Sequence, residues 1–253
     1  MHVKSVQKAF LIIEELDSAG ELSLGELSER LVMDKATIHR LLQTIKDSGY
    51  VNQNKENRKY SNSFKFLEIG NRVLEKTSTK SIARPFIEKL AYQTKETINL
   101  GVLVGTSIIY IDKIESLSTI KVGLNIGTGV PVYCSGMGKA LMAFMPKENL
   151  NYLLDNITYI KHTKNTIVEQ SMIMKALDRI KKEGYSIDDE EYVDGLICFG
   201  APIFSFNGRP IAAISIACPK YRYDEKEHFN KYANMLLETA NEISKRLGFK
   251  YEN

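Results

Sequence analysis

Three cysteines, four histidines and one acidic run are the side chains of this chain best suited to chemistry. A catalytic thiol needs a base to form thiolate, usually a histidine held by a third group. His2, His39, His162 and His228 are scattered, and none is local to Cys134 or Cys198. The sequence therefore predicts inert, buried thiols. No H-x-x-H or H-E-x-x-H pattern occurs, and Cys134, Cys198 and Cys218 lack metal-ligand spacing. The expectation is no structural metal, and reduced thiols of a cytoplasmic protein. Gly136-Met137-Gly138-Lys139 has part of a phosphate loop, but Tyr133 stands where the loop needs its first glycine and Ala140 where it needs Ser or Thr. The glycines between Gly123 and Gly129 lack dinucleotide-loop spacing and read as a connection that could border a pocket. In Asp188-Asp189-Glu190-Glu191, neighbouring side chains of an extended chain point to opposite faces, so four ligands cannot converge on a metal. One inward carboxylate is expected, Asp188, which either accepts hydrogen bonds from a ligand's hydroxyls or caps local amides. No cofactor is expected. What remains is charge. Between residues 34 and 65 seven basic residues (Lys35, Arg40, Lys46, Lys55, Arg58, Lys59, Lys65) face three acidic ones (Asp34, Asp47, Glu56), while the whole chain carries only +3. A local basic excess is the electrostatic footprint of phosphate contact.

The elements that must position these charges read as a helix-turn-helix with a wing. Ser23-Leu24-Gly25-Glu26 has the form of a capping box, opening a short helix with Leu24, Leu27 and Leu31 on one face. Val32-Met33 makes a tight turn. Asp34 caps a second helix, Lys35 to Ser48, with Gly49 as its C′ residue. Ile38, Leu41, Leu42 and Ile45 recur at three- and four-residue spacing and face inward. Lys35, Thr37, His39 and Arg40 fall at the outward N-terminal end, the end that a recognition helix puts into the major groove. His39 touches a base or phosphate there, or is a neutral surface residue. Tyr50-Val51 and Lys59-Tyr60 predict two strands flanking a polar hairpin tip with Lys55, Arg58 and Lys59. A first helix, Lys4 to Ser18, with the face Val6, Phe10, Ile13 and Leu16, completes a domain over residues 1–61.

Residues 62–79 predict a linker: a helix from Ser63 to Lys76 carrying Phe64, Leu67, Ile69, Val73 and Leu74, then the small polar hinge 77–81. That apolar face either pairs with a partner chain or packs on its own domain. Residues 80–253 change to mixed α and β. A helix from Ile82 to Gln93 has Pro85 in its first turn. Strands are expected at 99–103 and 108–114 across a hairpin, then at 119–122. Helices follow over 138–144, 146–154 and 168–183, the last amphipathic through Met172, Met174, Leu177 and Ile180. Strands at 185–187, 198–204 and 211–216, the last two joined by Asn207-Gly208, precede a helix from Tyr223 to Leu247. The order predicts an α+β fold with an antiparallel sheet. At 253 residues, 43% hydrophobic and 26% charged, the chain has core enough for two domains. No apolar run reaches the roughly 18 residues of a membrane span, and the amphipathic N-terminus has no signal-peptide core.

Five stretches in order carry a resemblance over nearly the full length. They are Met33-Asp34-Lys35-Ala36-Thr37-Ile38-His39-Arg40-Leu41-Leu42; Gly49-Tyr50-Val51; Pro131 to Leu141 (PVYCSGMGKAL); Gly184 to Glu191 with Gly195-Leu196-Ile197-Cys198; and Ala212-Ala213-Ile214-Ser215-Ile216. Together they resemble the IclR family of bacterial transcriptional regulators. The resemblance implies a winged helix-turn-helix, a linker helix and a GAF-like effector domain, working on operator DNA as a homodimer or dimer of dimers. It also implies an effector site at Cys134, Ser135, Gly136 and Met137 on a loop, with Asp188, Cys198, Ser215 and Ala217 on the sheet. Amides at a helix N-terminus with hydroxyls suit a carboxylate. Ala217 replaces a serine of some acid-binding members, which argues against a ligand as small as glyoxylate, and Tyr133 stands where histidine is common. A sugar-derived keto acid is the favoured effector and an aromatic acid the next. Two other readings stay open: a GAF-like small-molecule enzyme with an accessory DNA-binding domain, and a constitutive DNA-binding protein.

Overall fold

The computed structural model describes residues 3–75, 78–117 and 124–250. They form two compact units, Met1–Lys76 and Thr77–Asn253.

In the first unit α1 (Lys4–Ala19), α2 (Leu24–Arg30) and α3 (Lys35–Asp47) pack around Ile12, Leu16, Leu27, Ile38 and Leu42. The expected capping box is present. Glu26 N donates to Ser23 Oγ at 3.2 Å, and Ser23 N donates to Glu26 Oε2 at 2.7 Å. The turn after α2 is tight enough to drive Val32 to φ 50°. A two-stranded ribbon, β1 (Val51–Gln53) with β2 (Tyr60–Asn62), lies one or two residues beyond the expected strands. The face expected for α1 holds at Ile13 and Leu16, which meet the core, and is corrected at Val6 and Phe10. Ile12 and Leu16 are buried, while Val6 and Phe10 are 50% and 58% exposed. Helical spacing fits both Val6-Phe10-Ile13-Leu16 and Ala9-Ile12-Leu16, and packing in the core turns Ala9, Ile12, Ile13 and Leu16 inward. Helix α4 (Lys65–Glu75) starts later than expected. It is held to its own unit by Phe66, whose ring lies 5.3 Å from Tyr50.

The second unit contains one six-stranded, wholly antiparallel sheet in the order β5-β4-β3-β8-β7-β6, so the α+β expectation holds. Its strands are β3 (Thr97–Val104), β4 (Ser107–Ile114), β5 (Gly129–Pro131), β6 (Ser186–Asp189), β7 (Leu196–Phe204) and β8 (Pro210–Pro219). Helices α5 (Ser78–Thr94) and α9 (Glu225–Arg246) contact one side. Helices α6 (Gly136–Ala143), α7 (Lys147–Asp155) and α8 (Gln170–Glu183) share the other core with Tyr110, Val132 and Tyr133.

Several expectations change here. Residues 78–81, read as a hinge, are the first turn of α5, and Pro85 sits in the helix interior. Burial of Ala83, Ile87 and Leu90 outweighs the hydrogen bond lost at the proline. In α8 the inward residue is Ile173, while Met172 is 47% exposed. Strand β5 falls at the end of the stretch read as a glycine connection. The strand expected at 119–122, the residue Gly123, and Lys76 and Thr77 lie outside the described residues.

Candidate DNA-binding and effector sites

At the start of α3 the Asp34 carboxylate accepts from Thr37 N at 2.8 Å, and this bond holds its pKa below the usual carboxylate value. The cap fixes the register of the turn that carries the candidate contacts. Lys35, His39 and Arg40 are exposed and Thr37 is half-buried. Arg40 also lines a groove against Val6 and Phe10 of α1. Ala36 and Gln43, which carry no charge, share the exposed face of α3. In the wing, Lys55 and Arg58 are exposed at the tip, where Arg58 takes φ 61°. Lys59 is half-buried and lies 3.6 Å from Glu26. Lys65, counted in the basic excess, donates to Ser48 O at 2.6 Å and sits over the Tyr50 ring, so it closes the end of α3.

The second site is assembled by sheet register. Asp188 of β6 pairs with Cys198 of β7, Cys198 with Ala217 of β8, and Ala217 with Thr97 of β3. Two residues along, Ser186, Gly200, Ser215 and Asn99 form a parallel row. Paired residues share a face, so both rows look toward α6. Gly200 permits the approach: a Cβ there would lie 2.4 Å from the Gly136 carbonyl carbon. Ser186 Oγ donates to Gly136 O. Gly138 has a similar packing duty, since its Cβ would meet Val132 O at 2.1 Å. The glycines of this motif serve close packing and do not form a phosphate cradle.

The loop expected at 134–137 is corrected in part. Cys134 ends a short 3-10 turn, Ser135 is the N-cap of α6, and Gly136 and Met137 already belong to the helix. Ser135 Oγ accepts from Gly138 N at 3.1 Å. Cys134 is fully buried, and burial pushes its thiol up to about 12. Cys198 is half-buried, and its thiol is likewise raised by burial. Both stay protonated, which removes the nucleophile reading. Ser215 is buried and its Oγ accepts from Asn99 Nδ2 at 3.2 Å; Ala217 is buried beside it.

The acidic run holds two inward carboxylates, where one was expected. Asp188 accepts from Glu191 N at 2.8 Å. Burial raises its pKa to about 7, against the pull of Lys139. Glu191 is also buried. It pairs with Lys139 of α6, whose Nζ donates to Ile187 O at 2.7 Å as well. Alternation fails because β6 ends at Asp189 and Glu190 takes φ 59°, which returns Glu191 inward. Asp189 pairs outside with Lys220, and Glu190 Oε1 accepts from Gly195 N. A lysine three residues into a helix gave no sign of reaching a turn 52 residues away. Tyr133 is buried; its hydroxyl donates to Ile160 O and accepts from Ile160 N. Tyr133 thus fastens the segment after α7.

A capped helix-turn-helix with a basic wing, followed by an α+β domain with a polar cluster under a helix N-terminus, defines a ligand-responsive transcriptional regulator. Family models support this: the IclR helix-turn-helix domain matches residues 5–55, and the bacterial transcriptional regulator IclR C-terminal domain matches residues 71–245. The HTH-type transcriptional regulator KdgR of Escherichia coli is 37% identical over 98% of this chain and 94% of its own length. The regulator XynR of the same organism is 32% identical over 98% of both. Among solved structures, Thermotoga maritima IclR superposes with TM-score 0.73 at 30% identity, covering 98% of this chain and 100% of that one. The C-terminal domain of E. coli KdgR covers 68% of this chain and 99% of its own, with TM-score 0.62 at 33% identity. The chain belongs to the IclR family of bacterial transcriptional regulators, with a DNA-binding domain followed by an effector-binding domain. Its role is regulation and not catalysis. Among the described residues, no helix is long and apolar enough to cross a membrane.

Proposed function

We propose that a small organic acid, bound between the start of α6 and the sheet, controls the affinity of this regulator for operator DNA. The observation that supports the reading is the sheet register, which aligns Asp188, Cys198 and Ala217 in one row and Ser215 with Gly200 in the next, with Gly136 at the start of α6 against Cys198 and Gly200. Hydroxyl and amide donors on one side with a carboxylate acceptor on the other suit an acid that also carries hydroxyls. A sugar-derived keto acid is the first choice and an aromatic acid the second. Residues 1–61 bind DNA, 62–79 link, and 80–253 bind effector and oligomerise. Lys35, Thr37, His39 and Arg40 read the major groove, while Lys55, Arg58 and Lys59 hold phosphates. The working form is a homodimer or a dimer of dimers, because two linked recognition helices act at high effective concentration. Phe64, Leu67 and Val73 are 86%, 58% and 60% exposed on or next to α4 and are the proposed interface.

The test pairs two titrations of the full chain. Ser215→Ala should weaken acid binding in calorimetry and leave ligand-free operator binding intact. Arg40→Ala should weaken specific operator binding by about 1–3 kcal/mol if its contact to guanine is bidentate. An organic acid that binds without changing operator affinity would refute the control, since a ligand shifts only states that it distinguishes. In that case the constitutive binder is the remaining reading.

A further inference from the structure

The first unit holds a basic concavity between the end of α3 and the wing. A cleft of about 320 Å³ is lined there by Lys46 and Gly49 of the helix end and by residues 51–55 and Arg58 of the wing. Lys46, Lys55 and Arg58 bring three cations to it, and none of its lining residues is acidic. Asp47, next to Lys46, is engaged elsewhere: its Oδ1 accepts from Gln43 Nε2 at 2.8 Å. Lys59 of the wing does not line the cleft and lies 3.6 Å from Glu26. The last carbonyls of α3 end beside this space, and the negative end of a helix repels an anion. Lys46, half-buried in the last turn, supplies the opposing charge. Arg58 is the second feature. It holds φ 61°, a conformation that suits glycine or asparagine. Its N donates to Asn54 O at 3.0 Å, and its carbonyl accepts from Gln53 Nε2 at 3.1 Å. Strained backbone of this kind persists where its neighbours over-determine it, and it collects at ligand clamps.

We propose that this cleft seats a single phosphate of the operator backbone, held jointly by Lys46 from the helix and by Lys55 and Arg58 from the wing. The proposal rests on the reading of the wing as a phosphate contact. It adds a residue of the recognition helix and makes the three cations one site. Lys46 follows His39 by seven residues, two turns along the same face of α3 and about 10 Å further on. With the first turn of α3 in a major groove about 12 Å wide, that position has reached the strand of backbone that borders the groove. A phosphodiester carries its charge on two unesterified oxygens, and charge-assisted donors from the helix end and from the wing match them. A contact of this kind carries no sequence information. It fixes how the recognition helix lies in the groove.

The test is a salt titration of the full chain binding a random-sequence DNA duplex, read by fluorescence anisotropy. Lys46→Gln and Arg58→Gln remove one charge each and keep most of the side chain. Lys46→Arg keeps the charge. The two glutamine substitutions are also combined. Each single glutamine variant should lower the slope of log affinity against log salt by about 0.9 per bound protomer, one phosphate's share. The double variant should lower it by no more than that, because the same phosphate is lost. Lys46→Arg should keep the wild-type slope. A double variant whose slope falls by the sum of the two single losses would show two separate phosphates and overturn the single seat. An unchanged slope in Lys46→Gln with a lowered one in Arg58→Gln would overturn the cleft and leave the wing reading standing. A loss in Lys46→Arg equal to that in Lys46→Gln would make the lysine structural and overturn its role. Unchanged slopes in both single glutamine variants would end the wing reading as well.

Discussion

Lys139→Met tests whether the buried pair under α6 organises the effector side of the sheet. The lysine and glutamate side chains are only 3% and 9% exposed, and Glu191 Oε2 has no hydrogen-bond partner. At an effective dielectric of about 20, contacting unit charges attract by about 4 kcal/mol, which offsets part of the desolvation of both ions. Methionine fills the same volume but leaves Glu191 and Asp188 as two uncompensated buried carboxylates. Breaking such a pair costs about 3–5 kcal/mol, and Ile187 O loses its donor besides. The loss depends on pH. Lys139 pulls both carboxyl pKa values down against burial. Without it both rise further above their unfolded values. The deficit is then largest at pH 8 and shrinks as pH falls through about 7, where Asp188 takes up its proton. Lys139→Met/Glu191→Leu should recover most of the loss. The chain has no tryptophan, so calorimetry or tyrosine near-ultraviolet dichroism in urea follows the unfolding of this unit. A single-variant cost under about 1 kcal/mol at pH 8, or one that does not vary with pH, would refute the reasoning, because a buried pair must exceed the worth of an exposed one.

Other outcomes follow from the same geometry. Asp188 has its pKa raised from 3.8 to about 7. Its folded form binds the proton more tightly than the unfolded chain, so stability is fully present below about pH 4 and is lost as pH rises toward 7. In Asp188→Asn the decline measured by urea titration across this window should flatten, and an unchanged slope would assign it elsewhere. Gly200→Ala should cost about 1–3 kcal/mol in the same titration by overpacking, because its Cβ cannot coexist with Gly136 unless α6 retreats. It should also weaken acid binding in calorimetry. Arg58→Ala should weaken specific and nonspecific DNA binding alike in a salt titration and lower the slope by about one phosphate's share.

The first unit was legible because its signals are local. A capping box, an Asp34 cap and a Gly49 terminator each act within four residues, and each appears where it was read. The α1 face was misread at Val6 and Phe10, and read correctly at Ile13 and Leu16, because two stripes of one helix are apolar and only the neighbour decides between them. The acidic run was half legible. Alternation placed Asp188 inside, but the left-handed turn at Glu190 that brings in Glu191 has no glycine or asparagine to announce it. Lys139 was missed for another reason: its significance depends on a turn distant in sequence, and nothing in its spacing states which elements meet. Helix α5 was read short because a proline normally marks a first turn, and here core burial overrides that habit.

The Asn99–Ser215 hydrogen bond joins residues 116 apart, and β3 reaches its neighbour β8 only after most of the second unit has been made. Such separations make folding slow, since a large loop must close before its contacts are rewarded. On the proposed site, a ligand would have nothing to hold during synthesis until the last strand leaves the ribosome. A bound effector would then favour completed domains over partial ones, by an amount set only by its concentration relative to its dissociation constant. A metabolite that controlled operator occupancy as proposed would, on this account, also set how much finished regulator survives to respond to it.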